Sequence, residues 1–122
     1  MKKLFCIIAM VLMLAGAAGA ADWAKYSGQG TTSAVVTALP GYCYGIIVSA
    51  SSVSSGSVIV YDNATAASGS LIFPTIYTDA NTTEPRNITL FPPVPVKFFN
   101  GIYVSATTTA GTVNYEVYYR SD

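Results

Sequence analysis

From Val113 to Arg120 the chain alternates with a period of two. Val113, Tyr115, Val117 and Tyr119 share one side, and Asn114, Glu116, Tyr118 and Arg120 share the other. Successive side chains of an extended chain point to opposite faces, so this segment can bury one face and wet the other. That is the mark of a half-buried antiparallel strand. The same test on Ile102–Thr107 sends Ile102, Val104 and Ala106 inward, with Tyr103, Ser105 and Thr107 outward. No segment beyond the first twenty residues carries a helical apolar stripe.

Most other segments after residue 30 read the same way. Thr31–Leu39 is β-branched and stops at Pro40-Gly41, a turn signal. Tyr42–Ala50 follows, then a Ser/Gly-rich connection. Ser57–Asp62 is a nearly continuous apolar run, the pattern of a strand covered on both sides. Leu71–Thr78 contains Pro74, which cannot donate to a ladder, so it is expected at a sheet edge or a bulge. Ile88–Phe91 runs into Pro92, Pro93 and Pro95, which hold the chain extended but unpaired. In Val96–Ala106 an Asn100-Gly101 pair separates two apolar arms, the strongest short hairpin signal. Val96 and Phe98 before the turn, and Ile102, Val104 and Ala106 after it, can all enter one core.

Seven to eight short strands with turns about every ten residues indicate an all-β fold. The expected architecture is a single antiparallel β-sandwich of immunoglobulin-like or jelly-roll type. Strand order is not readable from the pattern. The expected organisation is a signal peptide over 1–20, an N-terminal arm over 21–30 and the sandwich over 31–122.

The leader reading rests on Lys2 and Lys3, an apolar run from Leu4 to Leu14, and Ala18-Gly19-Ala20 as a small-x-small cleavage site. An apolar run of that length is too short to span a bilayer, which takes about 20 residues. The expectation is therefore a secreted chain, extracellular or periplasmic, with no membrane span after cleavage near Ala20. Without Lys2 and Lys3, four basic residues (Lys25, Arg86, Lys97, Arg120) remain against six acidic ones. Four scattered positives make no basic stripe, which excludes a nucleic-acid partner. Cys6 lies in the leader, leaving Cys43 as the one thiol of the remainder. Its apolar, strand-like surroundings favour a buried small hydrophobe over a link between chains.

The sequence has no histidine. That removes the commonest general base, the Ser-His and Cys-His nucleophile pairs, and most zinc sites. Asp62, Asp79 and Glu84 are the carboxylates that could serve a small hydrolase, and Asp62, Asn63 and Asp79 a calcium ion. The stronger reading is that these are loop residues selected for turn geometry. No catalytic residue, cofactor or metal is expected. Asn63-Ala64-Thr65, Asn81-Thr82-Thr83 and Asn87-Ile88-Thr89 match the glycan acceptor triplet.

Charged residues are 10% of the chain, while Ser, Thr, Asn and Tyr are abundant. Such a surface repels neighbours little and suits packing against copies of itself or against a neutral polymer. Tyr26, Tyr103 and Tyr118 are the candidate surface contacts, since tyrosine stacks on sugar rings. Leu71, Phe73 and Ile76 mark the candidate docking edge.

The second half resembles a family of small β-sandwich proteins of tailed phages. The resemblance is carried by Val60-Tyr61-Asp62-Asn63 with Ala67-Ser68-Gly69, by Phe91–Thr107 with its Phe98-Phe99-Asn100-Gly101-Ile102-Tyr103-Val104 core, and by the closing Glu116–Arg120 strand. It implies a structural module, such as a capsid decoration, fibre or tail accessory domain, with no catalytic residues. The leader departs from that pattern, because virion parts assemble in the cytoplasm; a cellular, exported relative would fit both. The expectation is a non-catalytic exported module that works as a homo-oligomer or within a larger assembly. The alternative is a carbohydrate-binding module with a glycan partner.

Overall fold

The computed structural model describes residues 25–78 and 84–122, with the backbone alone for 25–29. The leader, Asp79 and the Asn81 triplet lie outside the described residues. Nine strands run in order: β1 (Lys25–Gly30), β2 (Ala34–Thr37), β3 (Gly41–Ala50), β4 (Ser55–Asp62), β5 (Ile76–Thr78), β6 (Arg86–Leu90), β7 (Val96–Phe98), β8 (Ile102–Ala110) and β9 (Val113–Ser121). They form two antiparallel sheets. The first has the order β1-β9-β3-β6, with β7 beside the start of β3 where β6 does not reach. The second has the order β2-β8-β4-β5.

The pairing is nested. β4 pairs β5, β3 pairs β6 and β7, β2 pairs β8, and β1 pairs β9. One long antiparallel ribbon therefore runs through the whole described chain. Rolling it brings β9 against the other side of β3 and β8 against the other side of β4. This is a jelly roll, one of the two architectures expected from the sequence. The fold has no helix among its described residues, and β1 is the strand beyond the expected seven or eight.

The core lies between the sheets. Ile46, Val48, Val113, Val117 and Phe98 point in from the first sheet, and Val58, Val60, Ile102 and Val104 from the second. Each is at most 1% exposed, and burying a side chain of this size contributes about 1.5–3 kcal/mol. The alternation read from Val113–Arg120 holds: Val113, Tyr115 and Val117 are buried, and Asn114, Glu116 and Tyr118 are half-buried on the other side.

β3 breaks period-two alternation partway along its length. Cys43 and Ile46 are both fully buried although three residues apart. A bulge between Cys43 and Gly45 inserts one residue against β9, so the inward set moves from odd to even positions. The Cys43 thiol sits in that bulge, 3.6 Å from the Tyr118 carbonyl and 4.0 Å from that of Gly45. On the outer side the Phe91 ring lies over Gly45, where a Cβ would come within 2.4 Å of it.

Several expectations are corrected. The Asn100-Gly101 pair makes no hairpin: β7 belongs to the first sheet and β8 to the second, so the turn is an arch between sheets. Asn100 does not adopt the positive φ of a hairpin turn; Val53 is the one non-glycine residue with φ above zero among the described residues. Gly101 is required for another reason. Its φ is +142°, and a Cβ would stand 2.4 Å from the Thr37 carbonyl oxygen of the neighbouring arch. The expected arm is shorter than 21–30, because 25–30 form β1, paired to β9 by backbone with little apolar patterning to announce it. The Leu71–Thr78 segment is interrupted around Pro74, leaving an isolated bridge at Leu71 and the short β5. β6 starts at Arg86, two residues before the apolar run.

Candidate interaction face

The arch between β7 and β8 is held by a carboxylate. Both Asp62 oxygens accept from the Phe99 N–H at 3.0 Å, and one also accepts from the Asn100 N–H at 2.7 Å. Asn63 organises the next loop: its carbonyl oxygen accepts from the Thr65 and Ala66 N–H groups, and its amide donates to the Ser68 carbonyl. Asn63 thus has the turn role the sequence pattern favoured, whereas Asp62, at the end of β4, holds a connection distant in sequence. Glu84 precedes Arg86, which pairs with Ala50 at one end of β3; Asp62 pairs with Ile102, at the end where β3 begins. With ten residues of strand between these ends, roughly 30 Å, Asp62 and Glu84 share no cleft. Among the described residues no three acidic or thiol side chains gather where a metal could be held.

The candidate tyrosines are separated by the fold. Tyr103 is on the outer face of the second sheet, because Ile102 and Val104 point inward. Tyr118 is on the outer face of the first sheet, half-buried, its ring 5.3 Å from that of Phe91 at a tilt of 53°. Tyr26 is opposite Tyr118 in the backbone register; its side chain lies outside the described residues. Tyr103 and Tyr118 thus lie on opposite sides of the molecule and cannot form one row. At the docking edge, β5 does end the second sheet, but Phe73 (4% exposed) and Ile76 (7%) belong to the core. Leu71, 50% exposed, faces outward.

What sequence reasoning missed is a lateral row. Register aligns Val35 on β2 with Tyr103 on β8, Tyr103 with Tyr61 on β4, and Tyr61 with Leu71. Residues directly opposite in antiparallel strands share a face and stand about 5 Å apart. Four apolar or aromatic side chains therefore cross the outer face of the second sheet side by side. Ile59 on β4 and Tyr77 on β5, 73% exposed, lie on the same face. Beyond the row, Ser57 aligns with Thr107 and Ser55 bonds Thr109. The signal was present in Val58-Ile59-Val60-Tyr61, which is apolar at every position. Val58 and Val60 fill the core, while Ile59 and Tyr61 are half-buried on the outer side of the sheet.

Charge is divided between the sheets. Lys25, Arg86, Lys97, Glu116 and Arg120 all belong to strands of the first sheet. Lys97 and Arg120 flank Tyr42 in register, with Lys97 Nζ 5.4 Å from its ring centroid and Arg120 Cζ 5.7 Å away. Lys97 also lies 5.6 Å from the Phe99 ring centroid. In the strands of the second sheet Asp62 is the one charged residue, and its carboxylate is turned to the arch.

Two buried groups are shifted by their surroundings. Burial pushes the Cys43 thiol from an ordinary 9.0 up to about 12, against a smaller lowering by the Gly45 backbone. Burial also raises Tyr115, with the neighbouring Tyr103 adding to the effect. The Tyr115 hydroxyl donates to the Thr32 carbonyl at 2.8 Å, tying β9 to the segment that leads into β2. Both groups are kept neutral, which is a structural role.

Comparison with protein families, with curated proteins and with solved structures finds no match to this chain.

Proposed function

We propose that this protein is a non-catalytic exported module that works by association, as a subunit of an extracellular or surface assembly or a virion-like decoration. The observation that carries the reading is the uncharged outer face of the second sheet, crossed by Val35, Tyr103, Tyr61 and Leu71. Contiguous exposed apolar surface with a polar surround marks interaction sites. The jelly roll is a common scaffold of capsid and lectin domains, an analogy at the level of fold. The resemblance to small phage sandwich proteins points the same way. The test is to purify the exported protein under mild conditions, identify what co-purifies by mass spectrometry and image the material by electron microscopy. Particles, filaments or a stoichiometric partner are expected. A protein that stays monomeric at high concentration and recovers no partner would overturn the proposal.

Carbohydrate binding is the second reading, favoured by the side-by-side Tyr61 and Tyr103 with hydroxyl-bearing strands next to them. Tyr118 is not part of that site. Binding on a glycan array that is lost in Tyr103→Ala and kept in Tyr118→Ala is the expected result under this reading; an array without hits removes it.

A further inference from the structure

We infer that the outer face of the second sheet is a self-contact: two copies stack face to face on the Val35–Tyr103–Tyr61–Leu71 row about a twofold axis. The inference rests on the association reading and names the partner. Its first support is β4. Its Val58–Tyr61 stretch is apolar at four successive positions, the pattern of a strand covered on both faces. The core covers the inner side of Val58–Tyr61, while on the outer side Ile59 and Tyr61 stay half-buried, with no second sheet over them among the described residues.

The second support is charge. A twofold contact sets one patch against itself, so a charge near the axis meets its own copy and one further out must find a counter-charge on the same patch. The second sheet's face has none among the described residues, whereas self-stacking of the first sheet would bring Lys97, Glu116 and Arg120 together. The third is the state of the edges. β2 and β5 are four and three residues long, and prolines lie close to both, at Pro40 and Pro74. Short strands and nearby proline blunt an edge against strand addition. The face, not the edge, is left to associate.

The area sets the strength. Strands of four, nine, eight and three residues, at about 3.3 Å per residue and about 4.8 Å spacing, give roughly 400 Å² per copy. Both copies together reach about 800 Å², below the roughly 1,000 Å² of a stable interface, so the contact is a weak and transient one. A reversible dimer with a dissociation constant on the order of 100 µM is expected for so small a contact.

The protein, expressed with its leader and purified from the exported fraction, is followed by sedimentation velocity from about 10 µM to about 1 mM, a range that brackets the expected constant. A monomer–dimer equilibrium should appear. Tyr61→Arg and, independently, Ile59→Arg should weaken it at least about tenfold, because a charge is then desolvated on a face that carries no counter-charge. Lys97→Glu, on the other sheet, should leave it unchanged. Each variant's cooperative thermal transition confirms folding. A monomer across the whole range, or a dimer indifferent to both arginine variants, overturns self-stacking. If the monomeric protein instead binds a soluble neutral polysaccharide through Tyr61 and Tyr103, self-stacking is overturned in favour of the sugar. If it recovers a different protein, self-stacking fails while the association reading stands.

Discussion

The turn at Asn100-Gly101 offers a direct test of the fold, because a hairpin and an arch make opposite demands on its two residues. In a two-residue hairpin turn both positions need positive φ, so alanine at Asn100 would cost about 1–2 kcal/mol. In the arch Asn100 has negative φ, is exposed, and contributes its backbone N–H to Asp62, which alanine keeps. Asn100→Ala is therefore expected within about 0.5 kcal/mol of the parent. Gly101→Ala is different. Its φ of +142° suits glycine, and a side chain held in such a region costs about 1–3 kcal/mol. The added Cβ would also meet the Thr37 carbonyl oxygen at 2.4 Å, with the Cα atoms of Ala64 and Ala38 at 3.1 and 3.2 Å. All three are backbone atoms of adjacent loops, so relief requires two connections to move, adding about 1–3 kcal/mol of overpacking. The expected total is roughly 2–6 kcal/mol, a large share of the stability of about 5–15 kcal/mol typical of a domain. Urea unfolding monitored by tyrosine fluorescence and circular dichroism, fitted with a common slope, measures both variants. The reasoning is refuted if Asn100→Ala destabilises as much as Gly101→Ala, or if Gly101→Ala is neutral.

Cys43, fully buried, should resist thiol reagents at about pH 8 in the native protein and react fully in denaturant; rapid native labelling would contradict its place in the bulge. Because folding raises the Cys43 pKa from 9.0 to about 12, the unfolded chain loses that proton first, so stability is intact below about pH 9 and falls as pH rises toward 12. At about 1.4 kcal/mol per pH unit the loss approaches about 4 kcal/mol at most, with Tyr115 adding in the same direction; Cys43→Ala should flatten part of the slope in urea titrations across that range. Asp62→Ala leaves the Phe99 and Asn100 N–H groups without their acceptor and should cost about 1–3 kcal/mol, with no change in the dependence on urea; a neutral result would mean water replaces the carboxylate fully. Val53 is exposed with φ of 54°, and Val53→Gly should stabilise by about 0.5–1 kcal/mol, the relief of strain less the added chain entropy, read as a rise in the unfolding midpoint.

What the residues alone determined is local. Period-two patterns in Val113–Arg120 and Ile102–Thr107 set which side chains go inward, because the pleat allows no other arrangement once one face is buried. Pro74 and the Pro92–Pro95 run marked where pairing stops, since proline lacks the N–H a ladder needs. The absence of a helical stripe was enough for an all-β sandwich. The interaction face was half-legible: β4 announced an apolar outer side, but its neighbours in the row did not. Val35, Tyr103, Tyr61 and Leu71 come from four separate segments, and only register across strands sets them abreast. Tertiary structure alone also decided that Asn100-Gly101 crosses between sheets, that Tyr103 and Tyr118 face away from each other, and that Lys25–Gly30 joins β9. The physical reason is common to all three. A dipeptide's turn preference or a strand's alternation is worth about a kilocalorie, whereas closing the nested ribbon around one core buries more than a dozen apolar side chains at once. Burial of that core therefore chooses the strand order, and local preferences are kept where they agree with it.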